Sequence, residues 1–239
     1  MRLRGLRLVF AVAVFVATAL YVPASHADPV TWATWITATL GNNGIARGNI
    51  GGISVTYTGQ IFDFQNGYPQ WLPASSYIGG DVSNAPPLGN LVGIEGGTTQ
   101  TETITFSKPV VNPVLAIWSL GDANTLAEFV FNPQEPFSII AGGPSIQFGG
   151  GPIYTGGTCP AYGVCGEEAN GVIQFDGTFT SITWTNPLFE GYYVFEPGVL
   201  GDPTPTPEPS SLALLGIGLL VVGGASKRLL RFRGSTSTT

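Results

Sequence analysis

The chain has 239 residues, with 15 Asp and Glu against 9 Lys and Arg and a formal net charge of −6. Seven of the basic residues lie at the two ends, Arg2, Arg4 and Arg7 and then Lys227, Arg228, Arg231 and Arg233, so residues 28–206 hold fourteen acidic side chains against only Arg47 and Lys108. So acidic a surface repels phosphates, which excludes nucleic acid as a partner. The single histidine, His26, falls in a predicted leader, which removes Ser-His-Asp, Cys-His and His-zinc chemistry from the mature protein.

Arg2 to Arg7 form a charged n-region, Leu8 to Leu20 an apolar h-region and Ser25-His26-Ala27 a small-x-small cleavage site. This is the layout of a secretory signal, and residues 1–27 are predicted to be removed by a cut between Ala27 and Asp28. A run of thirteen residues, apolar but for Thr18, ahead of Pro23 is too short for a lasting span of ~30 Å of hydrocarbon. Lys and Arg beside an apolar segment resist translocation, so both basic ends are expected to stay cytoplasmic while the acidic middle crosses.

Residues 28–201 are predicted to form one exported all-β domain, an antiparallel β-sandwich or jelly-roll-like fold. Alternating segments occur at Ile53–Tyr57, Glu102–Phe106, Val114–Trp118, Glu128–Phe131, Val172–Phe175, Phe179–Trp184 and Tyr192–Phe195, separated by Gly, Pro, Asn and Asp. Trp32 and Trp35 are expected to tie down the first strand. Pro69 to Asn90 reads as a long surface excursion. Within it Trp71, between Pro69 and Pro73, is the tryptophan best placed to stack on a sugar ring, whereas Trp118 and Trp184 fall in strand patterns and are expected in the core. Lys108-Pro109 through Asn112-Pro113 reads as a loop whose prolines stay out of central pairing.

Asp122 and Asn124, on a turn at Gly121, are weak candidates for structural calcium; Asx residues there also serve as turn formers that bond their own backbone. Cys159 and Cys165 are predicted to close a local disulfide in an oxidising compartment. Asp176-Gly177 reads as a two-residue type I′ hairpin. With imidazole gone, glycoside hydrolysis by paired carboxylates is the enzyme class left open, with Glu95, Glu102, Asp122, Glu128, Glu167, Glu168, Asp176 and Glu190 as candidates. No two of them carry an identifying spacing.

Residues 202–211 form a Pro-rich linker that favours extended, semi-rigid geometry. Residues 212–225, LALLGIGLLVVGGA, are uncharged and predicted to form a transmembrane helix of about 21 Å, short of the ~30 Å core. Residues 226–239 are a basic cytoplasmic tail in which Lys227, Arg228, Arg231 and Arg233 stop transfer. Pro207-Glu208-Pro209, the Gly-containing apolar helix and the basic cluster together resemble the PEP-CTERM sorting signal of Gram-negative bacteria. The resemblance covers about 30 of 239 residues. It implies processing by exosortase, an inner-membrane cysteine protease-like transpeptidase that cuts near the motif. A precursor is thus held transiently in the inner membrane, then released or attached at the surface of a cell that makes extracellular polysaccharide. The expected function is a non-enzymatic envelope or matrix protein associated with polysaccharide and needing no cofactor. The alternatives are a carboxylate-dependent glycoside hydrolase and a purely structural coat component.

Overall fold

The computed structural model describes residues 29–66 and 70–201. The expectations placed on Ala27 and Asp28, on Pro207, Glu208 and Pro209, on residues 212–225 and on Lys227, Arg228, Arg231 and Arg233 lie outside the described residues.

The strands, in chain order, are β1 (Val30–Trp32), β2 (Thr34–Thr39), β3 (Gly41–Ile50), β4 (Ile53–Ile61), β5 (Asp63–Asn66), β6 (Asn90–Val111), β7 (Val114–Leu120), β8 (Ala127–Phe131), β9 (Phe137–Gly143), β10 (Gly163–Gly166), β11 (Ala169–Phe175) and β12 (Thr178–Leu200). The fold is all-β, and its hydrogen bonds form one open antiparallel sheet ordered β2-β3-β4-β6-β12-β7-β11-β9, with β1 and β8 also on β12, β5 on β6 and β10 on β8. All seven predicted alternating segments lie inside strands. Among the described residues no helix is long and apolar enough to cross a membrane.

Two long strands fold this sheet into two layers. The C-terminal part of β6 pairs with β4 and with the start of β12, while its first residues pair with β5 and with Tyr193–Phe195. Register breaks such as these bend a strand and let it serve both layers of a sandwich. In β6 the bend falls at Gly96 and Gly97, both at φ 70°, a left-handed conformation that glycine adopts freely. A Cβ on Gly96 would stand 2.4 Å from the Leu188 carbonyl oxygen across the bend. Aromatic rings fill the space between the layers: Phe195 of one packs on Tyr57, Trp184 and Phe129 of the other at centroid distances of 4.8, 5.3 and 6.5 Å.

All seven residues of β7 are buried, because its two faces enter different cores. Leu115, Ile117 and Leu120 join the central core, whereas Val114, Ala116 and Trp118 join a second one with Val30, Trp32, Trp71, Tyr77 and Val82. The stretch predicted as a surface excursion is therefore a cover. Its 3₁₀ turn at Ala74–Tyr77 and the Gly79–Val82 bridge lie over β9 and β11 and hold apolar side chains in the second core with the outer face of β7.

Two turn predictions are corrected. Asp176-Gly177 does not make a hairpin, since β11 pairs with β7 and β9 while β12 pairs elsewhere. Instead Gly177 accepts from the Asn112 amide at 2.7 Å and donates to Asn112 Oδ1 at 2.9 Å. Two corners are thus locked together where the local pattern suggested one turn. Lys108 and Pro109 belong to β6 itself, but they sit where the register skips from Thr105 to Val110, so the proline does stay out of the ladder.

Cys159 and Cys165 form the predicted disulfide, with Cα atoms 5.7 Å apart. It ties the loop before β10 to a strand that pairs with β8 and, through Cys165, bridges Tyr154. Replacing both cysteines with serine is expected to cost about 2 kcal/mol, by extrapolating the loop-length relation to so small a ring. The denaturant midpoint would move accordingly, and an unchanged midpoint would show that the bridge is energetically idle.

Candidate functional site

The outer face of the second layer ends in an open aromatic cleft of about 300 Å³, lined by Phe62, Asp63, Gln65, Trp118, Phe148 and Tyr192. Four strands align it. Asp63 of β5 lies opposite Gly93 of β6, Gly93 opposite Val194 of β12, and Val194 opposite Trp118 of β7. Residues directly opposite on neighbouring strands share a face, so this row points away from the central core.

Glycine shapes the row. A Cβ at Gly93 would stand 2.3 Å from Tyr192 Cε2, so the tyrosine ring fills the space that a side chain there would occupy. Rings then follow one another: Phe62 to Tyr192 at 6.5 Å, Tyr192 to Trp118 at 6.2 Å and Trp118 to Phe148 at 5.5 Å. Trp118 is buried at the base, whereas Phe62 and Phe148 at the two ends are 51% and 57% exposed. Phe148 sits on a turn in which Ser145 Oγ accepts its amide at 3.1 Å. Among the polar groups, Asp63 Oδ1 accepts the Phe64 amide at 2.8 Å, and Trp118 Nε1 has no partner among the described residues.

Several predicted site residues lie elsewhere. Trp71 is 2% exposed and meets Tyr77 edge-on at 5.2 Å, so neither ring face is open to a sugar. Its loop reads as exposed from Pro, Gln and Tyr, yet the apolar outer face of β7 requires that loop as a lid. Asp122 Oδ1 accepts the Asn124 amide at 2.8 Å and Asp122 exchanges backbone bonds with Thr125, the self-satisfied turn that Asx residues make. Among the described residues no three His, Cys, Asp or Glu gather as a metal site would need.

Of the candidate carboxylates, Asp122, Glu168 and Glu190 lie close enough to feel one another's charge, and none of the candidates lines the cleft. Glu102 is buried beneath Gly59, where its Oε2 accepts Tyr57 Oη at 2.5 Å and the Gln60 amide at 2.8 Å. Burial raises its pKa to about 7 against the opposing pull of those two bonds. Glu190 is also raised to about 7, by burial first and then by the nearby charges of Glu168 and Asp122, while the Tyr192 amide opposes. Burial pushes Glu128 and Glu168 upward as well.

Phe62, Asp63, Gln65, Phe148 and Tyr192 escaped the sequence reading. One signal was present: in Tyr192-Tyr193-Val194-Phe195, Tyr193 and Phe195 fill the central core, which leaves Tyr192 on the opposite face as an aromatic residue for something else.

Outside this domain, residues 205–228 match the family model of the PEP-CTERM protein-sorting motif. The chain carries a PEP-CTERM sorting signal. PEP-CTERM signals are processed by exosortases, and the motif implies export and sorting to the envelope or cell surface. The match spans Pro207, Glu208 and Pro209 and reaches Lys227 and Arg228, but it leaves the β-domain's activity unassigned. No curated protein and no solved structure matches the chain.

Proposed function

We propose that this is a non-enzymatic, exported surface or matrix module that holds polysaccharide in the Phe62–Tyr192–Trp118–Phe148 cleft. The observation that carries this reading is the chain of four rings with large exposed faces at both ends. Sugar rings present flat C–H faces that stack on aromatics, and apolar side chains exposed together in one place mark binding sites on soluble domains. Asp63 is the sole carboxylate in the lining, whereas glycoside hydrolysis works with two flanking the scissile bond. In this reading the signal at residues 1–27 is cut between Ala27 and Asp28, and residues 212–225 hold the precursor in the inner membrane until exosortase acts at residues 207–209.

Retention on the producing cell's own extracellular polysaccharide tests the proposal. Phe62→Ala with Phe148→Ala is expected to abolish retention, while thermal stability stays near that of the parent because both rings are more than half exposed. Trp71→Ala is expected to lower stability by roughly 3–5 kcal/mol, as removing a buried tryptophan does, with the cleft rings left in place. Undiminished retention by the double variant would sink the assignment of the cleft.

A further inference from the structure

The cleft's chemistry selects among polysaccharides, and the selection rests on the binding reading above. Asp63 is the one charged side chain in the lining. It shares a cross-strand row with Trp118, and the Tyr192 ring lies over Gly93 between them. Arg47 and Lys108, the two cations of residues 28–206, are absent from the lining.

An ionised carboxylate only accepts hydrogen bonds, so it suits a sugar hydroxyl and offers nothing to a second carboxylate. The Gln65 amide in the lining both donates and accepts, so it too suits an uncharged hydroxyl. A uronate would meet Asp63 with no cation in the lining to offset it, in a domain, residues 28–201, with thirteen acids against two bases. Like charges juxtaposed at a binding site act against the wrong partner more than they weaken the right one.

We propose that the cleft takes an uncharged polysaccharide and rejects the corresponding uronate, with Asp63 setting the choice.

The exported protein would be titrated with soluble glucan, mannan and galactan and with the same polymers oxidised at C6 to uronates, in the presence of a chelator that removes bridging divalent cations. At low salt a neutral polymer is expected to bind at least about tenfold more tightly than its oxidised form, the discrimination that one uncompensated charge contact supplies. Asp63→Asn should narrow that gap to within about threefold while neutral binding persists, since the amide oxygen can still accept the Phe64 N–H. Added salt should narrow it in the parent too, because screening acts over about 10 Å at 0.1 M. This second measurement needs no variant. Equal or tighter binding of the oxidised polymer, or a gap that Asp63→Asn leaves unchanged, would overturn the selectivity. Binding of no polymer of either kind would overturn the binding reading itself.

Discussion

Gly59→Ala is expected to destabilise the domain by roughly 3–4 kcal/mol, combining overpacking with loss of a buried hydrogen-bonded group. A Cβ at position 59 would stand 1.4 Å from Glu102 Oε2, 2.6 Å from Glu102 Cδ and 2.8 Å from Tyr57 Oη. The carboxyl group occupies the volume that any larger residue would claim. Expelling it strands the Gln60 amide, which donates to Glu102 Oε2, although Tyr57 Oη keeps the Gln60 carbonyl at 2.9 Å. Nor can Tyr57 step aside, because Phe195 and Trp184 hold its ring at 4.8 and 5.8 Å. Gly191→Ala is the control, since nothing lies within 4 Å of a Cβ there. Denaturant midpoints would decide: a Gly59→Ala protein within 1 kcal/mol of the Gly191→Ala one, about the scale of a tolerated surface change, would show that the Glu102 pocket yields.

Stability is expected to fall as pH rises from about 5 to about 8, the reverse of a protein held by paired carboxylates. The folded pKa values of Glu102 and Glu190 are raised from 4.5 to about 7, so the native state binds protons more tightly than the unfolded chain. Below about pH 4.5 both states are protonated and neither group disfavours folding. Between 4.5 and 7 the unfolded chain ionises while the native one keeps its protons, and stability declines; above 7 the decline levels off. Each carboxyl contributes on the order of 2–3 kcal/mol across that window, the full shift being discounted for screening by solvent. Glu196, buried and likewise pushed up by burial, extends the trend upward. Urea midpoints measured through the range test this, and Glu102→Gln should remove one proton's share of the slope. A flat profile, or one that rises toward pH 8, would mean that these carboxyls ionise freely in the folded domain.

The sheet was legible wherever β-branched and aromatic residues alternate with polar ones, as at Ile53–Tyr57 or Phe179–Trp184. It was illegible where pairing to a neighbour, rather than side-chain pattern, makes the strand. Gly41–Ile50, GNNGIARGNI, has little β propensity, yet β3 is a ten-residue strand held between β2 and β4. The hairpin at Asp176-Gly177 failed for a related reason: turn chemistry is local, whereas the partner of that corner is Asn112, 65 residues away.

The site was harder still. Trp71 stood out because tryptophan among prolines suggests exposure, but exposure depends on whether a distant face needs covering, and β7 carries apolar side chains on both. Phe62 and Phe148 lie outside the strands, where a lone aromatic carries no periodic signal; Phe62 reaches the cleft beside Tyr192, and Phe148 reaches Trp118 from the Ser145–Gly149 turn after β9. The sorting tail needed no folding to be read. Its information is linear, a short motif followed by an apolar run and then positive charge.

The strand that binds the domain together is also the last one the described chain supplies. β12 pairs with β1, β6, β7 and β8, and Val30 meets Leu200 while the Gly201 amide donates to the Pro29 carbonyl. A polypeptide threaded through a pore from its amino end therefore cannot zip up its central seam until residue 200 has emerged. Closure of that seam brings Pro29 and Val30 to the same spot as Leu200 and Gly201, where the sorting tail begins. Any tug on that root is borne first by the pairing of Val199 and Leu200 with the short opening strand.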